Sequence, residues 1–190
     1  MLLGDAAVDD SMKVFINAVR AAVKQENWYA ALALALTLPD ICADLEKPGR
    51  HSGERYADWW NTYLLPEYTI PGIEDVREPH VLLSGNDCYA LRCAFLHQGL
   101  SDISRQRAQE AISRFHFAFP NPNRRIVRHR NQLDDVLQLQ VDLFCEDICL
   151  GAEQWEQEKL LKETEIMNRA NKMLVIFPPD MFGNQKFRLF

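Results

Sequence analysis

Eleven consecutive residues, Trp28 to Leu38 (WYAALALALTL), would make a helix apolar on every side, with Thr37 as the one small polar break. Such a helix is stable only when other helices surround it, which restricts the chain to a multi-helix fold. The neighbouring segments supply the partners. From Asp10 to Asn27, one face carries Met12, Phe15, Ile16, Val19 and Val23 and the other Lys13, Asn17, Arg20 and Lys24, with Asp9, Asp10 or Ser11 as cap. Asn27 is placed to cap the apolar helix. Pro39 is expected to break or restart it before it continues through Ile41, Cys42 and Leu45 to Pro48-Gly49. A third helix starts near Ser52, carries Tyr56, Trp59, Trp60, Tyr63 and Leu64 at helical spacing, and stops at Pro66. This aromatic stripe reads as core.

Residues 66 to 82 hold prolines and a glycine without helical period and read as a loop or crossover. A fourth helix follows, capped by Ser84 or Asn86 and ended by Gln98-Gly99. The period then changes from 3.6 to 2: Phe115, Phe117 and Phe119 alternate with Arg114, His116 and Ala118 before a Pro-Asn-Pro-Asn turn. Ile126 to Arg130 and Val136 to Val141 also read as extended. The expectation is a small antiparallel β ribbon, about residues 112–141, inserted among helices. Asp142 is the expected cap of a fifth helix with the stripe Phe144, Ile148, Ala152 and Trp155, continued by a charged helix to about Lys172. Leu174 to Phe177 reads as a short apolar strand or arm. One helical domain over 1–180 and a tail over 181–190 complete the expected organisation.

A 190-residue chain with 47% apolar residues can bury a core without staples. The five cysteines (Cys42, Cys88, Cys93, Cys145, Cys149) are odd in number and lie in apolar helical patterns, which fits a reducing compartment better than a disulfide framework. The first residues lack the basic flank and apolar stretch of a signal peptide, and no uninterrupted apolar run reaches the roughly 18 residues of a membrane span, so a cytoplasmic protein without a membrane partner is expected. The net charge of −6 argues against a nucleic-acid partner only on average. Between Ile103 and Arg130, seven arginines (Arg105, Arg107, Arg114, Arg124, Arg125, Arg128, Arg130) face one acid, Glu110. That stretch can grip a phosphate backbone, or it can simply balance an acidic remainder.

One helix carries chemistry in its composition. In Cys88 to His97 (CYALRCAFLH), Arg92 and His97 are the charged or imidazole groups in an otherwise apolar decapeptide, costly to bury unless partnered or facing a cleft. An arginine fork suits a phosphate and a histidine titrates near neutral pH, so together they provide the parts for phosphodiester cleavage.

The segment Asn86 to Gly99 (NDCYALRCAFLHQG) resembles the arginine, four to six residues, histidine motif of the HEPN superfamily. The resemblance implies a four- or five-helix HEPN-like bundle and a metal-independent endoribonuclease without cofactor, of a kind often found among toxins and defence effectors. It also implies a homodimer that brings two motif copies together, with RNA as substrate and an antitoxin or regulatory protein as a further partner. Carried over by position, it marks Arg92 and His97 as catalytic, with Asp87 and Cys93 as supporting positions. Active members commonly have Asn, Asp or His directly after the arginine, where this chain has Cys93. The inserted ribbon lies outside the family's minimal pattern, and its Arg124, Arg125, Arg128 and Arg130 are the candidates for holding RNA.

Helical geometry adds an expectation of its own. Five steps of about 100° place Arg92 and His97 about 140° apart, so fraying or a partner copy is needed for both to reach one phosphate. Other candidates are weaker. Arg124 and His129 repeat the spacing in a segment without helical period. Cys93 and His97 can form a thiol–imidazole pair, but a cysteine on an apolar helix is usually core. Cys145 and Cys149 share a face without a second pair of metal ligands. The chain has no phosphate-binding glycine loop, His-Glu-x-x-His or Gly-x-Ser-x-Gly. Two readings stay open: the endoribonuclease, and a non-catalytic bundle that binds a nucleotide or a protein partner.

Overall fold

The computed structural model describes residues 11–72, 78–107, 109–121 and 127–176. The apolar helix forms as α2, Trp28–Glu46, with α1 (Ser11–Lys24), α3 (Ser52–Tyr63), α4 (Gly85–Gln98) and α5 (Val141–Trp155) around it. Met12, Ile16 and Val19 of α1 meet Ala31, Leu32, Ala35 and Leu36 of α2 in a core that also holds Trp60, Phe144, Ile148 and Trp155. Pro39 does not break α2. It is buried mid-helix, where packing on several sides outweighs the roughly 3 kcal/mol penalty of an internal proline. By length and composition α2 is long and apolar enough to cross a bilayer, and half of that stretch is buried against the rest of the chain. Arg20 joins α1 to α5 by forked hydrogen bonds to Glu146 and Glu153.

Most helix limits follow the sequence reading, with local corrections. Asn27 takes the cap position of α2 without a side-chain bond, and the proposed caps Asp9 and Asp10 lie outside the described residues. The loop after α3 contains a 3₁₀ turn (Leu65–Tyr68) and a two-stranded pair, β1 (Thr69–Ile70) with β2 (His80–Val81). Helix α5 begins at Val141, and Asp142, expected as its cap, lies in the first turn and accepts from Gln140 Nε2 at 2.9 Å. The charged continuation is not one helix: a π turn (Glu156–Leu160) leads to a separate α6 (Thr164–Ala170). Residues 174–176 are exposed and irregular rather than a strand. Phe177 and the expected tail lie outside the described residues.

The expected antiparallel ribbon is instead a mixed sheet in the order β3-β5-β4, formed by β3 (Arg114–Ala118), β4 (Asn131–Leu133) and β5 (Val136–Gln140). β3 and β5 run parallel, Phe115 opposite Leu137, while β4 and β5 form the antiparallel pair around a tight turn at Asp134, φ +54°. Strand β4 starts one residue beyond the extended stretch expected to end at Arg130. Alternation reports that a strand has two faces, and Phe115, Leu137 and Leu139 do form the buried one; it carries no information about the partner strand.

Candidate functional site

Helix α4 is anchored at both ends by the residues its sequence suggests. Ser84 Oγ accepts the Asp87 backbone N–H at 3.1 Å, and Gly99 closes the other end at φ +69°, where a side chain would be strained. Close packing on α3 depends on Gly85: a Cβ there would lie 2.5 Å from the Ala57 carbonyl oxygen.

Asp87 is 1% exposed, and its carboxylate accepts backbone N–H groups of Glu110 at 2.6 Å, Ala111 at 3.2 Å and Ile112 at 3.4 Å. Burial pushes its pKa up against those three donors. Asp87 therefore secures the segment entering β3 and takes no part in the contact between Arg92 and His97.

Those two side chains meet within one chain, at 3.2 Å between Arg92 Nη1 and His97 Nε2. The long arginine stem spans the angular gap, so neither fraying nor a second copy is needed for the pair to meet. A guanidinium can only donate, so Nε2 is the acceptor and the ring proton of neutral His97 sits on Nδ1. His97 is exposed; Arg92 is half-buried, with Nε 2.7 Å from Asp40 Oδ2. Neither of these two atoms has an aligned hydrogen bond, so the contact is ionic rather than a directed N–H···O bond. Burial raises the Asp40 pKa more than Arg92 lowers it; burial opposes the Arg92 charge, but Asp40 and then Cys93 outweigh it and raise the arginine's pKa.

Asp40 is the site residue the sequence reading passed over. Its signal was available, since an acid inside the apolar α2 raises the same question as an arginine inside α4. Cys93 is half-buried and lines a groove with Tyr89, Asn86 and Gln98, while Ser52 and Tyr89 share a hydrogen bond of 3.0 Å beside it. Cys145 and Cys149 are packed in the core, burial raising both thiol pKa values, that of Cys149 to about 12.

No family model, curated protein or solved structure matches this chain.

Of the four ribbon arginines expected to hold RNA, two lie among the described residues. Arg124 and Arg125 lie outside the described residues, and Arg128 is exposed. Arg130 is engaged: its guanidinium meets Asp147 and Glu67 at 3.0 Å each and lies 4.7 Å above the centroid of Tyr68. His129, the other half of the second Arg-x4-His spacing, contacts Asp147 at 2.9 Å.

Proposed function

We propose that this chain is a HEPN-type, metal-independent endoribonuclease, working as a homodimer, with Arg92 and His97 as its catalytic pair. The observation that carries the reading is the 3.2 Å approach of Arg92 Nη1 to His97 Nε2 at the open end of α4. In this scheme an incoming phosphate draws the guanidinium donor away from Nε2. The freed nitrogen then takes the proton of the ribose 2′-hydroxyl, whose oxygen attacks the adjacent phosphorus as the bond to the 5′ oxygen breaks. Arg92 balances the charge that builds on the phosphoryl oxygens. The departing 5′ oxygen takes a proton from solvent water and His97 returns its own to solvent, so the products are a 2′,3′-cyclic phosphate and a 5′-hydroxyl.

A second reading has an observation of its own. The Asp40 ion pair gives Arg92 a structural role without catalysis, and Cys93 stands where active family members are polar, which suits a bundle that binds a nucleotide or a protein such as an antitoxin.

The deciding experiment is cleavage of a labelled RNA with EDTA present, alongside a copy carrying a single 2′-deoxyribose at the cut position. The endoribonuclease cuts the first and leaves the second intact. His97→Ala lowers the rate on the order of 100-fold or more, and Arg92→Lys, which keeps the charge but loses the fork, falls well below wild type. A wild-type protein that cuts no RNA leaves the binding reading in its place, and a His97→Ala protein that cuts as fast removes His97 and the proposed catalytic pair from the chemistry.

A further inference from the structure

The turn after α4 separates two grooves, and Leu100 lines both. The first lies between α3, α4 and residues 100–107 and includes Arg105 and Arg107, both exposed. Its two acids are already engaged, Glu54 with Arg50 and Asp102 with Arg114 and Ser104. Among the described residues neither Arg105 nor Arg107 has an acidic partner, so positive charge is left facing the groove.

The second groove lies on the other flank of α4, against the start of α2 and β3, with a volume of about 380 Å³. Aromatic rings dominate it. Trp28 and Phe119 are tilted together at 6.2 Å between centroids, Phe95 adds a half-buried ring, and Tyr29 and Phe119 remain 77% and 69% exposed. These rings lie together along one groove rather than scattered singly, as at surfaces that meet a partner.

We propose that the two grooves form one track for unpaired RNA, with backbone phosphates against Arg105 and Arg107 and a nucleobase stacked among Trp28, Tyr29 and Phe119. The end of α4, where His97 sits, lies between them. The proposal takes its occupant from the endoribonuclease reading but does not depend on the chemistry. An acidic peptide would use the arginines and leave the rings empty, and an apolar helix would fill the rings without using the charge. A nucleic acid uses both. The strand must be single because bases in a duplex keep their faces stacked on one another. The loop after the motif helix thereby joins the ribbon arginines as a proposed grip.

The test is binding of a labelled, unstructured 2′-O-methyl oligoribonucleotide, which has no free 2′-hydroxyl and so cannot be cut. Trp59, Trp60 and Trp155 are buried while Trp28 is partly open, so stacking should quench Trp28 emission on binding. Tyr29→Ala with Phe119→Ala, both at exposed positions, should weaken binding about 10-fold or more and leave the salt dependence unchanged. Arg105→Gln with Arg107→Gln should weaken it and flatten the slope of log K against log salt by about 0.7 per lost contact. Equal affinity for the annealed duplex, equal affinity for polyglutamate, or wild-type affinity in the aromatic pair would overturn the track. A wild type that binds the oligomer but leaves unmodified RNA uncut keeps the track and removes the endoribonuclease. A protein that cuts RNA unaffected by the aromatic changes does the reverse.

Discussion

Arg92 is held by Asp40 and, in the proposed endoribonuclease, also balances charge on the phosphoryl oxygens, and the two roles separate by measurement. Truncating Arg92 to alanine takes away the direct ionic partner of the half-buried Asp40 and leaves only the weaker field of Arg55, which should cost about 3 kcal/mol in urea unfolding. His97 is exposed, and its removal should change stability by no more than about 0.5 kcal/mol. A stable His97→Ala protein is therefore the clean probe of proton transfer, whereas any Arg92 variant needs its folded fraction measured beside its rate. If His97→Ala proved as destabilising as Arg92→Ala, the histidine would be part of the core rather than of an open site. Composition singled out Arg92 and His97 because charge is rare in an apolar helix. It overlooked Asp40 because a proline beside it read as a helix break, hiding that α2 continues and places the acid against α4.

The elements are positioned by close approaches at particular residues. Helix α4 can lie directly on α3 only because Gly85 has no side chain, a Cβ there falling 2.5 Å from the Ala57 oxygen and 2.6 Å from its Cα. Both obstacles are backbone, so neither rotates away. Gly85→Ala should cost on the order of 1–3 kcal/mol, read as a lower midpoint in urea or heat, and should lower any activity that needs Arg92 to reach both Asp40 and His97. An unchanged midpoint would mean that α4 is free to move outward. At the other end of this helix Asp87 ties residues 110–112 to its first turn, so α4 also sets where β3 begins. Sequence spacing located this helix well because Ser84 and Gly99 are local signals, readable without knowing what packs on them. The sheet was harder: β3 pairs with β5 across a long sequence separation, and neither strand names its partner.

Across the whole molecule, a half-buried polar cluster joins the sheet to the helices. Asp147 of α5 accepts from Tyr68 at 2.7 Å and contacts His129 at 2.9 Å and Arg130 at 3.0 Å. Burial alone would raise the Asp147 pKa, but the hydrogen bonds from His129 and Tyr68 and the charge of Arg130 bring it below the ordinary 3.8. A carboxylate depressed on folding contributes stability that is present above 3.8 and lost as pH falls below it. Asp147→Asn should therefore be less stable than wild type by about 2 kcal/mol at neutral pH, with the difference shrinking in acid. Urea midpoints at several pH values check this, and a constant difference from neutral pH into strong acid would contradict it.

Taken alone, the sequence determined what is local: an all-round apolar helix that needs companions, amphipathic helices to supply them, a change of period that marks strands, and one helix whose arginine and histidine stand out. Each depends on neighbours a few residues away, where backbone period and capping act. Tertiary structure decided what depends on distance along the chain. It kept α2 whole through Pro39 by surrounding it, set β3 parallel to β5, and turned Asp87 and Arg130 into fasteners. It also brought Arg92 to both Asp40 and His97. These outcomes follow from burial and long-range pairing, which local patterns do not encode.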